Sequence, residues 1–408
     1  MNVDLRILAF TNAGALSLAS VVQADEHPMS QVVTTVSSTT LSGYVDTSMI
    51  WKAGTGDANL PGRAFDRVGK LDGFNLNVVK LKLEKPVSDE LWATRYKVSL
   101  LFGPDATRFN TSANAIPSAY DFSVEEAYVA LSVPAGNSID FKVGSFTTII
   151  GYESFESYLN PNYSRSFGWQ LEPTQHTGLL ASYKASDAVS ISAGIANTWN
   201  AGINARATRA TGPATESEKT YLASVSITAP ESWGFLSGSA WYAGLIDGLA
   251  GNSQDTTSLY AGGSLKTPLE GLSVGAAFDY RFGGASVINA ATGLPFYTAG
   301  NSWAYAIAGY ASFQANEKWK FNIRGDYTEG TDGTFYDRGN DGLRNLQNRL
   351  GALTLTADYA LWANVVSRAE LRWDHSTSGD EPYGGTAASP APNQRNAVTL
   401  ALNLIYKF

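Results

Sequence analysis

Charged side chains recur at every second position along apolar segments of this 408-residue chain. The basic ones are Lys80, Lys82, Arg95, Lys97, Lys142, Arg281, Arg324, Arg368 and Arg372; the acidic ones are Glu84, Asp140, Asp279, Asp326, Asp358, Glu370 and Asp374. Both signs share one face of each segment, with large apolar groups on the other. Such charges either tune permeation along a wet passage or satisfy one another across strands. A second group lies between 148 and 176, TIIGYESFESYLNPNYSRSFGWQLEPTQH, which carries Glu153, Glu156, Arg165, Glu172 and His176. Catalytic chemistry has weaker support. His176 and His375 each lie near Ser or Glu, but no His pair at metal spacing accompanies them. Asp332-Gly333 and the run Asp337 to Gly342 loosely suggest a Ca²⁺ loop, yet no Glu closes it, so a Gly-rich turn is the better reading. No cofactor is implied.

Composition narrows the classes further. With no Cys, disulfides, Cys-ligated zinc, iron–sulfur clusters and thiol catalysis are excluded. Lys+Arg is 29 against 37 Asp+Glu, and the net charge of −8 argues against a nucleic-acid partner. Gly (39), Tyr (20), Phe (18) and Trp (10) suit strands and tight turns better than helices. Mean hydropathy is only −0.12, as expected where apolar and polar residues alternate in a transmembrane barrel.

The elements that carry these residues read as strands. Val398, Leu400, Leu402, Leu404, Tyr406 and Phe408 occupy alternate positions. Trp319, Phe321 and Ile323 alternate with Lys320, Asn322 and Arg324; Leu371 and Trp373 alternate with Glu370, Arg372 and Asp374. The apolar faces begin or end in aromatics, as an interfacial girdle does. Phe74, Leu76 and Val78 change phase to Val79, Leu81 and Leu83, which predicts a bulge. About sixteen such segments fit the ~10-residue membrane strand. They lie near 40–51, 73–85, 91–102, 123–133, 138–147, 177–185, 188–199, 219–229, 233–245, 256–267, 271–282, 302–314, 318–328, 351–360, 364–374 and 396–408. Short polar turns, such as Pro134 to Asn137, are expected to alternate strictly with long connections, among them 148–176, 246–255 and 283–301. The predicted fold is therefore all-β: a transmembrane antiparallel up-and-down barrel with short periplasmic turns and long external loops.

Residues 1–24 read as a secretory signal and 25–39 as a short N-terminal segment, with the barrel over 40–408. The aromatic Phe408 resembles the terminal residue that barrel-assembly machinery reads. The longest loop, 148–176, is expected to fold inward and narrow the lumen.

Residues Lys142 to Glu153, KVGSFTTIIGYE, resemble the GxFxTPxGYE segment of the OmpL-like family of β-barrel porins. Asn162 to Phe167 and Glu172 to Tyr183 are similar to its next two blocks, and Ile149 stands where that family usually has Pro. The resemblance implies a Gram-negative outer-membrane porin that passes small hydrophilic solutes or ions, with outer-membrane lipid around it and a possible homotrimer as its assembly. The rival is a barrel of the same fold whose lumen is plugged by loops, acting as a surface adhesin or receptor.

Overall fold

The computed structural model describes residues 31–34, 37–54, 56–60, 62–85, 92–109, 121–200, 202–206, 217–250, 255–289, 294–336 and 347–408. The predicted signal and the Asp337–Gly342 run lie outside them. A short strand, β1 (Gln31–Thr34), pairs back on β2 (Ser37–Lys52). Then follow β3 (Gly73–Glu84), β4 (Thr94–Phe102), β5 (Phe122–Val133), β6 (Ile139–Thr147), β7 (Gln175–Lys184), β8 (Val189–Ala196), β9 (Thr220–Thr228) and β10 (Ala240–Leu249). The remainder are β11 (Asp255–Lys266), β12 (Leu272–Asn289), β13 (Leu294–Gln314), β14 (Trp319–Thr331), β15 (Gln347–Tyr359), β16 (Val365–Ser376) and β17 (Asn396–Lys407). Strands β2 to β17 pair in chain order, all antiparallel. β17 closes the ring on β2, from Thr399 opposite Lys52 to Lys407 opposite Tyr44. Closure leaves no free sheet edge in the wall.

The period of two decides which side chains face lipid. On β14, Trp319, Phe321 and Ile323 are exposed while Asn322, Arg324 and Asp326 are buried. On β16, Leu371 and Trp373 face out, and Glu370, Arg372 and Asp374 face in. The predicted bulge is present. Asp46 pairs with Val78 and Thr47 with Leu76, so Asn77 is the extra residue. Phe74 and Leu76 point outward, while Asn77 and Val78 both turn inward. A second bulge escaped the sequence reading. Ser99 pairs with Glu126 and Leu100 with Val124, which makes Glu125 the extra residue and sends both carboxylates inward.

Two expectations are corrected. The stretch 283–301 is not a long loop: β12 and β13 run on as a paired hairpin, from Ala285 opposite Thr298 to Asn289 opposite Leu294. Strict alternation of short and long connections also fails around β10. Residues 231–236 form 3₁₀ turns with Gly234 at φ 62°, so the turn after β9 spans 229–239. The opposite connection shrinks from the expected 246–255 to the residues between Leu249 and Asp255. Trp233 and Phe235, read as the start of a strand, are exposed side chains of that turn.

Candidate pore constriction

The connection between β6 and β7 decides what the lumen can do. Its start packs on one wall: Ile149, Ile150 and Tyr152 join Phe146, Leu180, Leu222, Ile246, Tyr260 and Tyr310 in an apolar cluster, with Tyr152 stacked on Tyr310 at 4.1 Å. Its middle reaches β14–β16, half-way round the ring. Fully buried Arg324 donates to Glu153 Oε1 (2.9 Å), to the Ser164 carbonyl (2.6 Å) and to Thr354 Oγ1 (3.2 Å). Glu370 accepts the backbone N–H of Tyr163 (2.6 Å) and of Ser164 (3.1 Å), and the Thr356 hydroxyl (2.9 Å). Arg368 donates to the Ser157 carbonyl (2.9 Å) and pairs with Asp358 (3.1 Å). A short helix, α1 (Phe167–Leu171), is capped by Ser166 Oγ, and its Phe167 N–H donates to Asp326 (3.0 Å). Arg165 donates to the carbonyls of Ser154, Tyr163 and Phe155, turning its charge onto the loop's own backbone. The segment thus crosses the lumen and returns to β7.

The two external connections before it reinforce the crossing, and the sequence reading missed their part. Arg63, between β2 and β3, donates to the Arg165 carbonyl (2.6 Å) and pairs with Asp326 (2.9 Å) and Asp374 (2.8 Å). Its guanidinium lies 4.0 Å from the Phe167 ring centroid. Burial disfavours its charge, yet Asp326 and Asp374 outweigh that and hold it well above the usual arginine value. Arg372 bonds Asp374 (2.7 Å) and Asp66 (2.5 Å); Lys70 bonds Asp105 (2.5 Å). An isolated Arg or Lys in a long polar connection carries no period, so no pattern marked Arg63 or Lys70.

The opposite wall, β3–β6, is less filled. Lys80 sits between Glu125 (2.5 Å) and Glu156, and Lys97 pairs with Glu126. Burial pushes the Glu156 carboxyl up, but Lys80 overrides it and holds it down at about 2. Arg95 pairs with Asp140 (3.1 Å), and Lys142 faces the Tyr128 ring at 5.1 Å. Between this wall and the loop lies a cavity of about 60 Å³, lined by Lys97, Glu125, Glu126, Glu153, Glu156 and Glu172 among others.

Of the residues singled out from sequence, Arg324, Asp326, Arg368, Glu370, Arg372, Asp374, Asp279 and Arg281 are buried where loop segments lie against the wall. Arg95, Lys97, Lys142 and Asp358 stay half-exposed. Glu153, Glu156, Arg165 and Glu172 lie on the crossing segment. His176 does not: it falls in β7, opposite Phe146, with Nε2 at 3.2 Å from Thr148 Oγ1. His375 is likewise a strand residue, bonded to Asn396.

A closed sixteen-stranded antiparallel barrel with an aromatic lipid face and an in-folded third loop defines the class of outer-membrane porins. The chain belongs to the family described as "Putative beta-barrel porin-2, OmpL-like", whose model matches residues 38–408. Solved barrels share the fold. The outer membrane channel DcaP of Acinetobacter baumannii superposes with a TM-score of 0.57 at 11% identity, covering 93% of this chain and 100% of that one. The anion-selective porin of Comamonas acidovorans gives 0.57 at 11%, covering 91% and 99%. Salmonella typhi OmpF in complex with daunomycin gives 0.56 at 12%, covering 91% and 98%. No curated protein matches the sequence. The protein is a porin of the bacterial outer membrane, of a family and fold that form channels.

Proposed function

We propose that residues 148–174 form the constriction of a water-filled channel for small hydrophilic solutes, and that solutes pass between this loop and the β3–β6 wall. The observation that carries this reading is the diametric span of the loop. Glu153 is clamped by Arg324, the backbone at 163–164 by Glu370 and Phe167 N–H by Asp326, all on β14–β16, while Lys97, Glu125 and Glu126 line a cavity on the other side. Arg95, Lys97 and Lys142 then line the passage, and Asp358 and Arg368 lie on the wall facing them. A pore of this kind needs no catalytic group. His176 bonds the Thr148 hydroxyl and His375 the Asn396 side chain.

The same reading carries three partners. Outer-membrane lipid meets the exposed face of Trp319, Phe321, Leu371 and Trp373. The assembly machinery would meet Phe408, which is exposed beside its backbone bonds to Gly43. A homotrimer fits a barrel whose fold is shared with a Vibrio cholerae OmpT structure in trimer form (TM-score 0.51, 12% identity, covering 91% of this chain and 99% of that chain).

Single-channel recording of the refolded chain in a planar bilayer tests the proposal. Discrete current steps, enlarged when residues 157–164 are shortened, are the expected result. Insertion without steps would favour the plugged receptor instead.

A further inference from the structure

Above the constriction, on the side of the long loops, three guanidinium groups converge. Arg108 belongs to the 3₁₀ turn Pro104–Phe109 and lies 5.2 Å from the Trp169 ring centroid of α1. Arg281, on the outer half of β12, lies 6.0 Å from the Trp199 ring centroid. Arg67 donates to the Thr107 hydroxyl, beside Arg108. Among the described residues no carboxylate lies within ion-pair distance of Arg108, and its Nε has no hydrogen-bond partner. Burial, and then the like charges of Arg281 and Arg67, pull its affinity for a proton down to about 10, with Glu172 opposing them. It still carries its full charge at neutral pH.

That isolation is unusual here, because most charges in the lumen have a named opposite partner. The compensation offered by Glu172 is partial. Its carboxyl shares a hydrogen bond with Asp279, in a cradle formed by Gly151 and Gly168, where a Cβ on either glycine would collide with one of the two carboxyls. Two carboxyls in contact do not both ionise, so the pair offers Arg108 only about one negative charge between them. On the inner side of the loop Lys142 repeats the pattern. Its ammonium faces Tyr128, and no carboxylate lies within ion-pair distance among the described residues. Lys80 and Lys97, by contrast, are held by Glu125, Glu156 and Glu126.

We propose that Arg67, Arg108 and Arg281 form a capture site for small anionic solutes at the outer approach to the constriction, with Lys142 receiving them on the inner side, so that the channel favours anions. The inference rests on the pore reading above and adds the charge of its substrates. Planar guanidinium forks pair with carboxylate or phosphate oxygens two bonds at a time, and a partly dry mouth strengthens the field they exert. The overall −8 does not oppose this, because permeation responds to the charges at the narrow part rather than to those on distant rims.

The test is the reversal potential of the refolded full chain under a KCl gradient, for the parent, Arg108→Gln, Arg108→Lys and Arg67→Gln. Arg67 is an exposed loop residue, so its variant gives a reading even if Arg108→Gln does not fold. The expected result is a parent reversal potential on the chloride side. Arg108→Gln and Arg67→Gln should each lower the chloride-to-potassium permeability ratio by about twofold or more, Arg108→Lys should preserve it, and the shifts should shrink in molar salt, where charges are screened within a few ångströms. A potassium-side potential in the parent, or neutral variants indistinguishable from it, overturns the anion site while leaving the pore intact. An absence of any current steps overturns the pore itself, and the site with it.

Discussion

At the scale of single residues, the lumen is organised by buried ion pairs whose removal has unequal consequences. Arg324 and Glu153 are both almost fully enclosed at 2.9 Å. Arg324→Met removes the donor and leaves a buried carboxylate with the Ser166 N–H but without its counter-ion, which costs about 3–5 kcal/mol where a buried pair is broken. Arg324→Met combined with Glu153→Leu should recover much of that loss. Urea unfolding of the refolded variants, read by tryptophan fluorescence, checks both expectations. Glu156 gives a pH-dependent case. Its carboxyl is held near 2 by Lys80, against an ordinary value of 4.5. A depressed acid contributes stability that is complete above its unfolded value and is lost as pH falls through its folded one. The loop should therefore hold at neutral pH and loosen between about pH 4.5 and 2. Channel noise in the parent should rise across that window; Glu156→Gln should be noisy already at pH 7 and change little on acidification.

At the scale of elements, the bulge in β3 shows what a sequence can and cannot disclose. Deleting Asn77 would restore an unbroken period of two between Leu76 and Val78, with Phe74 and Leu76 still outward and the pairing of Asp46 with Val78 and Thr47 with Leu76 kept. The expected outcome is a chain that still reaches the compact, heat-modifiable form on unboiled SDS gels, whereas a chain that fails to do so would mean that the bulge itself is needed for folding. Asn77→Ala keeps the register, loses only the bonds to Asp46 and Ser48, and should fold. This bulge was legible because large apolar residues on both sides of it changed phase. The bulge at Glu125 left the same kind of signal, Val124 passing to Ala127 and Val129, but small Ala127 made it faint. The β12–β13 extension was not legible: the stretch 284–293 is rich in Gly and Ala, a composition shared by loops and by strands that project beyond the membrane. Of the constriction, the loop and its carboxylates were visible as a long connection bearing charge. The groups that reach it from elsewhere, Arg63 above all, were not, because their roles depend on contacts between residues hundreds apart in the chain.

At the scale of the whole molecule, the same wall must satisfy two solvents, and the alternation along β17 makes that directly testable. Leu400, Leu402 and Leu404 face outward near the middle of the strand, while Ala401, Asn403 and Ile405 are buried inside. Asn403 bonds Asp46 (2.7 Å) and the Thr47 carbonyl (2.8 Å) across the closing seam. Leu402→Arg places a guanidinium against hydrocarbon at mid-strand, where it costs about 2–4 kcal/mol. Were this sheet a soluble sandwich or barrel, the same exposed position would meet water, and the substitution would be nearly neutral. Reversible folding into lipid vesicles, titrated with urea, should therefore show the full penalty. The same variant in a wet detergent micelle, whose interior yields to a charge, should show much less. Equal stability of parent and variant in vesicles would mean that position 402 does not face hydrocarbon, and the assignment of lipid-facing and lumen-facing sides along β17 would have to be exchanged or abandoned. That result would also displace Asn403 and Asp46 from the lumen, although their mutual bond is part of what joins the first barrel strand to the last.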